Sequence, residues 1–126
     1  MAIYETTVES SFFASHAVQT RSGEIEPLHR HNWKILASFR VRQLDAYGFV
    51  IDFVQALDAL KAIARELEGQ DLNLVMPHQE AGVSAERVAQ YLSERLHERL
   101  GLSVYSVCVS EATGCWAKYY ADESPA

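Results

Sequence analysis

Cysteine is nearly absent from this chain: only Cys108 and Cys115 occur in 126 residues. Two thiols are too few for a disulfide framework, so they read as reduced core or strand residues, and a bridge between them is not favoured. Basic residues are also scarce, with 11 Lys and Arg against 17 Asp and Glu and a formal charge of -6. A chain with pI near 5.3 carries no basic stripe for a phosphate backbone, which argues against nucleic acid and for a small partner. No long hydrophobic run approaches a membrane span. The stretch from Met1 to Phe13 alternates polar and apolar residues where a signal peptide would be continuously apolar. The expected location is therefore cytoplasmic, with no membrane partner. There is no internal repeat and no low-complexity segment. What remains is a chain that is 48% hydrophobic, enough for one domain with a true core and too short for two. The expected boundaries are a single domain over 1–121 and a disordered tail over 122–126.

Hydrophobic periodicity divides that domain. Tyr4, Val8, Phe12 and Ala14 share even parity against Glu5, Thr7, Glu9 and Ser11, the period-two pattern of a half-buried strand, and His16 continues the apolar face. After a polar connection over Thr20 to Pro27, a second alternating run places His29, His31, Trp33, Ile35, Ala37, Phe39 and Val41 on odd positions. Asp52 is a helix N-cap with Gln55 completing a capping-box pattern. Phe53, Leu57, Leu60, Ala64 and Leu67 then recur at helical spacing up to Gly69. A loop containing Pro77 and Gly82 leads to Ser84, the N-cap of a second helix marked by Val88, Leu92, Leu96 and Leu100 and ended by Gly101. Two strands follow, with Tyr105, Val107, Val109 and Glu111 on one parity, a turn at Ala112-Thr113-Gly114, and Cys115 to Tyr120 beyond it. The order is strand, strand, helix, helix, strand, strand. The predicted class is α+β, a four-stranded antiparallel sheet with two helices on one face.

Chemistry concentrates in three histidines and one glutamate. Alternate residues of a strand share a face, so His29 and His31 project together, about 6–7 Å apart at the backbone. An isolated His-x-His pair is equally well explained by two strand histidines satisfied by backbone groups. His16 on the inward face of another strand tips the balance, since three buried imidazoles without a shared partner are costly, and three imidazoles form the open kind of zinc site. Glu111 also lies on an inward parity beside a turn. An inward carboxylate at a strand end either pairs locally or accepts paired N–H groups from a nitrogen heterocycle.

These residues and their surroundings resemble the 6-pyruvoyltetrahydropterin synthase and 6-carboxytetrahydropterin synthase family. The resemblance rests on Phe12-Phe13-Ala14-Ser15-His16, on His29-Arg30-His31-Asn32, and on Gly48-Phe49-Val50-Ile51-Asp52-Phe53. It continues through Leu72-Asn73, through Ser84-Ala85-Glu86-Arg87-Val88-Ala89, and through Ser110-Glu111-Ala112. It spans nearly the whole chain, in order. It implies the tunnelling fold, ββααββ subunits joined edge to edge into an oligomeric barrel, commonly a homohexamer. It further implies zinc on His16, His29 and His31, a pterin or related heterocycle anchored by Glu111 at a subunit interface, and a hydroxyl near the pterin from Ser84, whose neighbour, often another hydroxyl residue, is Ala85.

The departures lie in the catalytic machinery. The family's cysteine position holds Ile25, its Asp-His pair reads Glu68-Gly69, and the glycine between the metal histidines is Arg30, which strand alternation sends outward. The leading expectation is a homologue that binds a pterin-like heterocycle without the standard synthase reaction. The alternative is a zinc-dependent lyase or aldolase on a dihydropterin using Glu24 or Glu26 as acid-base group, as in relatives with glutamate in place of the cysteine. Glu68 reads as a helix-end residue and His97 as solvent-facing, while His78 follows Pro77 in a loop.

Overall fold

Alternation of apolar and polar residues over the first forty positions produces one long antiparallel ladder. In the computed structural model, which describes residues 2–76 and 81–121, β1 (Tyr4–His16) pairs with β2 (His29–Val41) over their full lengths, from Tyr4↔Val41 to His16↔His29. β3 (Ser106–Ala112) pairs antiparallel with β2 and β4 (Cys115–Tyr120) with β3, giving the order β1-β2-β3-β4. The four-stranded sheet and the helices on one face match the expected α+β tunnelling fold.

Parity decides what is buried. Val8, Phe12, Ala14 and His16 from β1 meet Trp33, Ile35, Ala37 and Phe39 from β2 and Val107 and Val109 from β3 on one face. Helix α1 (Phe53–Leu67) covers that face with Ala56, Leu60, Ile63 and Leu67, and helix α3 (Ala85–Leu100) with Val88, Leu92 and Leu96. Each fully buried Leu, Ile or Val contributes about 1.5–3 kcal/mol. Tyr4 and Phe53 depart from the expected inward positions and stay exposed. Tyr4 is in the last pair of the ladder, and Phe53 is the first residue of its helix.

Helix ends follow the expected chemistry with one difference. Asp52 Oδ1 accepts the N–H of Val54 at 2.9 Å, two residues on, so the cap is an Asx turn and not a bond three residues on at Gln55. Ser84 caps α3 by accepting the Arg87 N–H at 3.2 Å, and Gly101 ends it in the left-handed region at φ +67°. A single-turn helix, α2 (Leu72–Val75), stands where the sequence gives only a loop; four residues are too few to show a period. Asp71 Oδ1 caps it through the Asn73 N–H at 2.9 Å. Pro77, His78 and the tail 122–126 lie outside the described residues. No helix among the described residues is long and apolar enough to cross a membrane. Both cysteines are free thiols, Cys108 buried and Cys115 exposed. Burial pushes the Cys108 thiol up, partly offset by Lys118 across the ladder.

Candidate metal centre and adjoining cleft

Because His16 ends β1 and His29 begins β2, the ladder places them opposite one another, with His31 across from Ala14. All three lie on the helix-facing parity, at the end of the sheet. One ring nitrogen of each falls within 4.8 Å of the others, and the ring centroids are 4.6–5.3 Å apart. A tetrahedral zinc with bonds of about 2.0–2.1 Å needs donors roughly 3.3 Å apart, so a small side-chain adjustment closes the set. Trp33, fully buried, sets the rings from below, edge-on to His16 at 4.8 Å and to His31 at 5.9 Å.

Backbone carbonyls fix which nitrogen faces inward. His16 Nδ1 lies 2.7 Å from the Val83 carbonyl and His29 Nδ1 lies 2.9 Å from the Pro27 carbonyl. A carbonyl only accepts, so each Nδ1 carries a proton, and in the neutral ring each Nε2 then presents a lone pair to the centre. Burial holds the proton affinity of His31 below the ordinary imidazole value. Repulsion from His29 and His16 acts in the same direction, while Glu111 and Glu26 oppose it. That imidazole is thereby favoured in its neutral, ligating form.

The unsatisfied atoms of the donor set fit a cation. His16 Nε2 and Glu111 Oε2 are 2.7 Å apart and both buried, yet neither has a partner in hydrogen-bonding geometry. Two lone-pair atoms at that distance repel unless a positive charge sits between or beside them. Three neutral imidazoles with a carboxylate at hand suit zinc.

Glu111 also borders a cleft of about 510 Å³, lined among others by His31, Asn32, Lys34, Thr113 and Trp116, a size suited to a small bicyclic ligand. The β3–β4 pairing shifts register between Val109 and Ala112, so Glu111 leaves the ladder at an irregularity. A groove of about 350 Å³ along α3 has no ligating cluster among the described residues, and its Arg95 is paired with Glu66 and Glu98.

The remaining sequence candidates separate clearly. Glu26 is half-buried, its Oε1 accepts the Val18 N–H at 3.0 Å, and the same oxygen stands 3.7 Å from His29 Nε2. Glu24 and Ile25 are exposed in the turn beyond, where Glu24 contributes its backbone carbonyl to Thr20 N–H. The Ser84 hydroxyl is engaged as a helix cap, one residue from the carbonyl that orients His16. Glu68 is the helix-end residue expected, and its carboxylate accepts the Phe13 N–H at 2.8 Å. His97 is exposed, with Nδ1 2.8 Å from the Leu102 carbonyl.

Three supports were not read from the sequence as such. Asn73 clamps Ala17, accepting its N–H and donating to its carbonyl, each at 3.0 Å, and so pins the residue after His16. Gly82, at φ +87°, lies so close to Ala17 that an added Cβ would come 2.1 Å from its carbonyl oxygen, which brings Val83 within reach of His16. Trp116 lies half-exposed on the cleft wall.

The 6-pyruvoyl tetrahydropterin synthase family profile matches residues 5–122. Dihydroneopterin monophosphate aldolase of Pyrococcus furiosus is 28% identical over 93 residues, 72% of this chain and 73% of that one. The 6-pyruvoyl tetrahydropterin synthase of Caenorhabditis elegans superposes with a TM-score of 0.77 at 17% identity, covering 97% of this chain and 98% of that one. The Plasmodium vivax 6-pyruvoyltetrahydropterin synthase, solved with a catalytic glutamate changed to alanine, gives 0.76 at 20% identity over 94% and 98%. At such identities the structural likeness speaks for the fold, while the family match spans nearly the whole sequence. The chain belongs to the 6-pyruvoyl tetrahydropterin synthase family.

Proposed function

We propose that this protein is a zinc-dependent aldolase that cleaves the polyol side chain of a dihydropterin, with Glu26 as its acid-base group, working as a cytoplasmic homohexamer. The observation that carries this reading is the position of Glu26, tethered by Val18 with its oxygen 3.7 Å from His29 Nε2. The similarity to an aldolase, and the catalytic glutamate of the Plasmodium vivax relative, support the same choice. Glu24, exposed in the turn, has no such placement, so the role falls to Glu26. The ordinary synthase reaction is not the proposal, because Ile25 and Gly69 stand where the family's cysteine and histidine would be.

His16, His29 and His31 would hold zinc, which supplies Lewis-acid polarisation of substrate oxygens when bound. Glu111 accepts N–H groups of the pterin ring and holds it in the cleft, with Trp116 offering an aromatic face. Ser84, whose hydroxyl caps α3 next to the Val83 carbonyl that orients His16, would be a further substrate contact. Glu26 removes the proton from the hydroxyl on the second side-chain carbon. The bond between the first and second carbons then breaks, its electron pair passes into the ring imine, and a proton returned to the first carbon leaves a hydroxymethyl pterin and a two-carbon aldehyde. Loss of a general acid-base group costs about a hundred- to ten-thousand-fold in rate.

The test is Glu26→Gln in the zinc-loaded protein with dihydroneopterin and its phosphates. Turnover should fall by about that factor while pterin binding, read by fluorescence, persists. A parent protein that binds pterin and releases no aldehyde would instead identify a binder without turnover.

A further inference from the structure

Glu111 is placed to do two incompatible things. Its Oε2 lies 2.7 Å from His16 Nε2 and 3.8 Å from His31 Nε2, and the residue lines the cleft. Around a tetrahedral zinc, neighbouring donors stand roughly 3.3 Å apart, and those two distances bracket that value. With a proton on Nδ1 facing Val83, a neutral His16 has no N–H to give the carboxylate, and the two atoms are not in hydrogen-bonding geometry. Both atoms are buried and unpartnered, an arrangement that a shared cation satisfies and that bare proximity does not.

The geometry points to Glu111 as a fourth ligand that closes the metal centre at rest and releases it when a heterocycle enters the cleft. A closed four-coordinate centre has no position for substrate oxygen, whereas a three-histidine centre has one. The same carboxylate then trades the metal for the N–H groups of the ring, so heterocycle binding itself opens the metal. The side chain is attached at the register shift between Val109 and Ala112, where Glu111 has no paired residue on β4. This rests on the proposed function for the identity of the incoming ligand, but the resting ligation stands on the chain's own residues.

Cobalt(II) in place of zinc reports coordination through its visible spectrum, and zinc affinity is read by competition with a chromophoric chelator. In Glu111→Gln the zinc affinity should fall by at least about tenfold, with the cobalt spectrum changed. Adding neopterin to the parent protein should move its cobalt spectrum toward that of the variant. Glu111→Asp, too short to reach, should behave like Glu111→Gln, and circular dichroism checks that both fold. Unchanged zinc affinity and an unchanged cobalt spectrum in both variants overturn the proposal while leaving the aldolase untouched. A cobalt spectrum that does not respond to neopterin at concentrations where fluorescence shows it bound overturns the release step. Failure of the parent chain to take up either metal removes this proposal and the aldolase together, whereas absent turnover with lowered variant affinity removes only the aldolase.

Discussion

At the scale of single residues the metal centre is governed by two carbonyls and a tryptophan as much as by its three imidazoles. His16→Ala should do double damage, removing a ligand and leaving the buried Val83 carbonyl without its donor. The second effect alone should destabilise the protein by about 1–3 kcal/mol in the absence of metal, measurable by urea denaturation with chelator present. His29→Ala, at a half-exposed position, should lose metal with little change in the metal-free stability. The centre should also respond to acid. Burial lowers the proton affinity of His31, so its folded form prefers the neutral ring. The stability this contributes is present above the ordinary imidazole value of about 6.5 and is lost as pH falls through the lowered folded value. Metal competes with the same protons, so bound zinc should be released on acidification through the imidazole range, as equilibrium dialysis across pH 7.5 to 4.5 would show. Zinc retained below about pH 4.5 would mean that imidazoles are not its ligands.

At the scale of elements, parity made the histidines legible and loop contacts remained hidden. Inward placement of His16, His29 and His31 followed from period-two alternation, which the β1–β2 register carries without a break. Ser84 and Gly101 as helix limits followed from capping chemistry. Contacts made across sequence gaps have no period, so the clamp of Asn73 on Ala17, the approach of Gly82 to Ala17 and the tether of Glu26 to Val18 left no local signal. As a loop carboxylate between Ile25 and Pro27, Glu26 carries no sequence mark that separates it from a solvated one, and only the bridge of Val18 brings it to His29. Two substitutions test these supports. Gly82→Ala should cost roughly 1–3 kcal/mol, from its positive φ and its collision with Ala17, and should weaken zinc binding through the displaced Val83 carbonyl. Asn73→Ala should cost about 1–3 kcal/mol by leaving the Ala17 amide and carbonyl without their partner, with a parallel drop in thermal midpoint.

At the scale of the whole molecule, β1 and β4 are the outer strands of an open four-stranded sheet. The Glu68–Asp71 segment covers the end of β1 at Phe13 and Ser15, and among the described residues the rest of that edge has no ladder partner in the protomer. Unpaired edges invite pairing with another chain, which is the physical side of the proposed hexamer. Light scattering in solution should give about six times the 14.2 kDa chain mass, and a monomer at micromolar concentration would count against it. This constellation is proposed to break a carbon–carbon bond. The decisive measurement incubates zinc-loaded protein with dihydroneopterin monophosphate and follows the products by mass spectrometry. Hydroxymethyl dihydropterin and a two-carbon aldehyde should accumulate in equal amounts, abolished by chelator and by Glu26→Gln; a pterin recovered bound and intact, with side chain uncleaved, would rule the aldolase out.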